Sequence, residues 1–165
     1  MAVVTFDKLP KTLEEMQALP QAALTSFDDV AALTVAALAV YPENASESIR
    51  MLDFLRGPRP LSAIDQQFIK DRFRGKEYLM KSYFLGSTPE NQYTPSEPYQ
   101  VSISENSYSR EHFSEGYITL YIACSGADSP RPIKLRNKPS TGQWFLWDQS
   151  LLTGIRIPIA ADPWA

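Results

Sequence analysis

The sequence predicts an α+β fold: an N-terminal layer of about four helices packed on a C-terminal, mainly antiparallel sheet of about four strands. Three observations carry this expectation. Helix-capping signals recur along the chain before Gly75. The stretch from Val30 to Val40 is apolar except for Thr34. Beyond Tyr99, segments change to the two-residue alternation of strands.

The first helix is signalled by Thr12 with Glu15 three residues on, a capping box, and by Leu13, Met16 and Leu19 before Pro20. The second opens near Ser26, with Asp28 and Asp29 in the first turn, where the helix dipole favours negative charge. A helix apolar on every side belongs inside a core, so the stretch ending at Tyr41-Pro42 is read as the central helix. The third opens at Asn44 and ends before Gly57-Pro58. The fourth opens at Ser62 with Asp65 at the capping offset; Ile64, Phe68 and Phe73, with Ile69 as an alternative, form its expected inner stripe, and Gly75 sits at the C-cap.

Residues 77–85 fit either a helical extension or a strand. The following stretch to Pro98 contains Pro89, Pro95 and Pro98 and reads as a stiff, irregular loop. Strands are expected at Tyr99–Ser104, Tyr117–Cys124, Pro132–Lys138 and Gln143–Asp148, the last three joined as an antiparallel meander. Residues 1–165 are expected to form a single domain sharing one core, with 1–10 as a loosely ordered arm.

Composition narrows the function classes. A hydrophobic fraction of 44% with 21% charged residues describes a globular chain, not a disordered one. Net charge is −3 without any basic run, so nucleic acid is not an expected partner. Lys134, Arg136 and Lys138 alternate onto one strand face and read as solvated. The stretch from Val30 to Val40 is too short to span a bilayer, which takes roughly 20 residues, so no membrane association is expected. The single cysteine and the absence of a signal-peptide pattern point to a soluble, cytoplasmic protein.

Candidate chemistry is sparse. His112 is the only histidine; Glu111 and Glu115 flank it, but no nucleophile or orienting acid is evident beside it. Cys124, at the end of an apolar strand, reads as a small buried hydrophobe rather than a partner for His112. No metal-ligand spacing and no glycine-rich phosphate loop occur, and no cofactor is expected. The remaining candidate surface is aromatic. Tyr83, Phe84, Tyr93, Tyr99 and Tyr108 gather around the proline-rich loop, where rigid rings suit a protein or peptide partner. The leading expectation is therefore a non-enzymatic interaction domain. The alternative is a small-ligand or enzymatic pocket, with His112, Asp148 and Arg156 as its nearest polar groups. The terminal Trp164, beside Pro163, is expected to pack into a groove.

Two stretches carry a resemblance: Ser82-Tyr83-Phe84 through Pro98-Tyr99, and Gln143-Trp144 through Trp147 with Gly154–Pro158 and Asp162-Pro163-Trp164. Together they resemble an uncharacterised domain family of gut Firmicutes and related bacteria. The resemblance runs from about residue 45 onward, implies a bacterial α+β domain and transfers no catalytic residue. More loosely, helices followed by a sheet with late tryptophans are similar to cystatin-like folds, which implies a possible small-molecule pocket.

Overall fold

In the computed structural model, which describes residues 1–165, helices fill the N-terminal half and most of the sheet lies in the C-terminal half. The order is β1 (Ala2–Phe6), α1 (Leu13–Gln17), α2 (Phe27–Val40), α3 (Ala45–Arg56), α4 (Ala63–Phe73), β2 (Tyr99–Ser104), β3 (Tyr117–Ile122), β4 (Arg131–Lys138) and β5 (Gln143–Gln149). The five strands form one antiparallel sheet in chain order. The fold is α+β, as expected.

The central helix is α2. Val30, Leu33, Val35 and Leu38 are fully buried, and alanines at 31, 32, 36 and 37 let neighbours approach closely. Its one polar side chain is satisfied locally, since Thr34 Oγ1 donates to Val30 O at 2.8 Å. α3 is tied to it by Ser48, whose Oγ donates to Ala37 O at 2.7 Å. Inward residues of the sheet close over the same helix: Val101, Ile118, Leu120, Ile133, Leu135 and Leu146 belong to one cluster of 33 buried residues.

Three capping signals are realised. Thr12, Asn44 and Ser62 accept from the backbone N–H three residues on, and Asp65 returns the bond to Ser62. Ser26 makes no side-chain cap bond. There the first turn of α2 is partly buried, and burial pushes the Asp28 and Asp29 carboxyls above the usual range; Glu105 and Asp29 add to the effect on Asp28.

Several expectations are corrected. Residues 2–6 are not a loose arm: they pair with β2 along their length, with Val4 and Phe6 turned into the core. The open question at 77–85 resolves to a 3-10 turn at Leu79–Tyr83. In α4 the inner stripe is Ile69 and Phe73, while Ile64 and Phe68 are 82% and 44% exposed. Only the end of that helix is drawn into the core, where Phe73 stacks on Tyr41 at 4.9 Å. Trp164 is 93% exposed and sits in no groove. The tail is instead held further back, where Ala160 N donates to the Gln92 side chain.

The proline-rich loop has its own internal frame. The Asn91 carboxamide accepts from Thr88 N and Thr94 N and donates to Gly86 O. Its backbone turns through positive φ at Gln92 and Tyr93, which sends the Tyr93 ring inward.

Candidate anion-binding cleft

The five aromatic candidates divide between core and surface. Tyr83, Phe84 and Tyr93 are buried, Tyr99 is half-buried, and Tyr108 is 71% exposed. Tyr83 and Tyr93 are anchors: their hydroxyls donate to Leu151 O at 2.7 Å and Arg156 O at 2.6 Å. Burial pushes the Tyr93 phenol up to about 12 and raises that of Tyr83 further. Tyr83 and Tyr93 thus pin the loop and the tail to the sheet. The sequence leaves this open, because a tyrosine beside prolines gives the same signal whether its ring points in or out.

Phe84 and Tyr99 do line a groove of about 470 Å³, beside Ala36, Ala39 and Val40 of α2. Its charges are mixed, with Lys8, Lys11 and Lys81 against Asp7, Glu43 and Glu97. The three polar candidates are not brought together. His112 contacts Glu115 at 2.7 Å in a hollow with Tyr108 and Tyr121. Arg156 pairs with Asp128 beside Gly126 and Gly154. Asp148 is exposed near the end of β5, opposite Lys134. Cys124 is half-buried against Ser82 Oγ at 3.3 Å. No group of three or more His, Cys, Asp or Glu side chains comes together as a metal site.

A different constellation stands out. A cleft of about 280 Å³ lies between the end of α3 and the outer faces of β4 and β5. Arg56 and Arg59 line one side, and Arg136 and Lys138 the other. Its walls are Pro58, Pro139, Phe145 and Trp147.

The turn after α3 is built to present Arg59. α3 ends at Gly57, whose φ of +60° suits a residue without a side chain. A Cβ there would meet the Phe145 ring at 2.5 Å, so the turn lies flat on β5. Pro58 and Pro60 stiffen it. Two side chains from α3 clamp it: Arg56 Nε donates to Arg59 O at 2.9 Å, and Asp53 Oδ1 accepts from Leu61 N at 2.8 Å.

The rings then order the cations. The Arg59 guanidinium lies 3.8 Å from the Trp147 ring centre and donates to the Trp147 carbonyl. Arg136 lies 4.8 Å from the same ring and 5.1 Å from Tyr117, its neighbour across the strand pair. Tyr117 and Trp147 meet edge to face at 5.5 Å. A guanidinium stacked on a ring keeps its in-plane N–H groups available, and it loses less freedom when it binds.

The charges are largely uncompensated. None of the eight ion pairs in the molecule involves Arg59, Lys134, Arg136 or Lys138. Of the cleft cations only Arg56 has an acid within ion-pair distance, Asp65 at 3.7 Å, and the Asp65 charge also reaches Arg59. Burial first, and the charge of Arg59 second, lower the pKa of Arg56 from its ordinary value. The Ser62 backbone N–H holds the Asp65 carboxyl below the usual carboxylate range.

Only the strand side of this cleft was visible in the sequence, and it read as a solvated face. The signal that could have found the other side is Arg56-Gly57-Pro58-Arg59-Pro60, two arginines on a proline-stiffened turn.

Comparison with known proteins gives one match. A family model described as "Domain of unknown function (DUF6935)" covers residues 8–159. No curated protein and no solved structure matches the chain. No helix is long and apolar enough to cross a membrane.

Proposed function

The chain belongs to the family described as a domain of unknown function (DUF6935), and from its surface we propose a non-enzymatic role: capture of an anionic segment of a partner protein in the cleft of Arg59, Arg136 and Lys138. One observation carries this reading: two arginines without acidic partners are held against the single ring of Trp147. Arginine and lysine keep their charge across the physiological range, so the cleft suits holding an anion rather than moving a proton. The proposal keeps the expectation of a protein or peptide partner and moves its site away from the proline-rich loop. A single domain, a cytoplasmic location and the gut-bacterial origin implied by the resemblance belong to the same proposal.

The test uses immobilised protein and two randomised peptide libraries, one rich in glutamate and aspartate and one neutral. The acidic library should be retained in preference to the neutral one, and released as salt rises from about 0.05 to 0.5 M. Retention should drop in the double variant Arg59→Ala/Arg136→Ala. Equal retention by the variant and the parent protein would overturn the proposal.

The groove beside Phe84 and Tyr99 supports a second reading, a small-ligand site between α2 and the sheet rim. Its mixed charge suits a zwitterionic ligand. Thermal-shift screening with such compounds tests it, and stabilisation lost in Tyr99→Ala is the expected result.

A further inference from the structure

We propose that the group held in the cleft is a phosphate monoester carried on a phosphorylated side chain of the partner. This rests on the anion-binding role above and goes beyond it by naming the chemistry. Charge supports it first. Arg59, Arg136 and Lys138 line the cleft without a carboxylate in ion-pair distance, and Lys134 continues the row along β4. One carboxylate would leave most of that charge unanswered, whereas a phosphate monoester carries close to two negative charges at neutral pH.

Donor geometry supports it second. The Arg59 and Arg136 guanidiniums line the cleft beside the Trp147 ring, and planar forks of N–H groups match phosphate oxygens in pairs. Size supports it third. A volume of about 280 Å³ lies just below the range of drug-sized pockets, so it admits one side-chain head group rather than a helix or strand. Pro58, Pro139 and Phe145 supply apolar contact for that side chain's stem.

A polynucleotide fits less well. Its diesters carry one charge each and need an extended track, while the cations here form one compact set. Bases also need open ring faces, and Arg59 already lies against Trp147.

Three randomised peptide libraries with matched flanks test the proposal, with serine, phosphoserine or glutamate at the central position. The full chain is immobilised in 0.1 M salt at pH 7.5. The phosphoserine library should be retained about tenfold over glutamate and more over serine. Retention should fall about threefold or more by pH 5.5, as the phosphate loses its second charge near pH 6. The charged groups at the cleft are Arg56, Arg59, Arg136 and Lys138, with Lys134 along β4 and the Asp53, Asp65 and Asp148 carboxylates acting on Arg56. His112, held by Glu115 at 2.7 Å, lies in a separate hollow beside Tyr117 and Lys134.

Arg136→Ala should abolish the preference for phosphoserine, and Arg156→Ala, at a separate place on the surface, should leave it unchanged. Arg59→Lys keeps the charge and should weaken binding through lost stacking, with an unchanged melting temperature showing that the fold is intact. Equal, pH-independent retention of the glutamate and phosphoserine libraries overturns the phosphate assignment and leaves the anion-binding role standing. Retention of neither above serine overturns both. Displacement of the phosphoserine library by an equimolar random single-stranded oligonucleotide also overturns the assignment.

Discussion

Arg59 is held by Trp147 twice, through the face of the indole ring at 3.8 Å and through that residue's own carbonyl oxygen. The two are 88 residues apart in the chain, so one side chain joins the turn after α3 to the edge strand β5. The carbonyl belongs to a strand with no further strand beside it, and the guanidinium covers part of its open edge.

Replacing Trp147 with leucine removes the ring and leaves the net charge alone. Affinity for an anionic peptide should fall about two- to fivefold, matching the roughly 0.5–1 kcal/mol of an exposed cation–π contact. Calorimetric titration measures it. An unchanged affinity would show that the ring does not organise the cations.

Gly57→Ala should destabilise the protein by about 1–3 kcal/mol, because alanine is strained at the φ of +60° and its Cβ meets Phe145. Urea unfolding reads the loss. Gly75→Ala makes the comparison sharper: its φ is +69° but no atom lies within 4 Å of a built Cβ, so backbone strain acts alone there. The difference between the two variants reports the contact with Phe145 together with the added strain of the Gly57 ψ of −117°.

Asp65→Asn separates binding from stability. Asparagine can still accept from Ser62 N, so mainly the charge is lost. Removing the acid beside Arg56 should raise affinity for an anionic peptide about two- to fivefold. Stability at pH 7 should drop by about 0.5 kcal/mol or less, discounted because the Asp65 side chain is 45% exposed. The folded carboxyl titrates below its unfolded value, so its contribution is present above about pH 4 and disappears as pH falls further. Parent and variant should therefore converge in acid, as thermal melts from pH 7 to pH 2.5 will show.

Tyr93→Phe should cost about 1 kcal/mol at pH 7 through the lost bond to Arg156 O. The pH dependence runs the other way from that of Asp65. Burial raises the folded phenol to about 12, so its stabilising contribution is full below about pH 10 and is lost as pH rises toward 12. Melting temperatures should drop above pH 10 in the parent and less steeply in the variant.

What the sequence revealed follows from how local each signal is. Thr12, Asn44 and Ser62 cap their helices through residues three positions on, so a short window contains the whole interaction. The buried α2 was legible for a similar reason, being apolar whichever face is considered. In α4 the stripe was ambiguous because Phe68 and Ile69 are adjacent, and tertiary packing chose Ile69. β1 was hidden because its alternation is brief and its partner lies at Tyr99–Ser104. The cleft was the least legible part. Its two arginine-bearing walls come from α3 and β4, and only folding brings them together.

The pairing of Phe6 with Tyr99 also sets a schedule for biosynthesis. At about 5–20 residues per second, roughly 5–20 s separate the polymerisation of those two residues. For that interval Ala2-Val3-Val4-Thr5-Phe6 is an apolar, strand-prone segment whose eventual partner has not yet been made. The helices, whose contacts lie close in the chain, can assemble meanwhile. Residues 2–6 thus have no strand partner until β2 has emerged, and the sheet is completed on its β1 side only then.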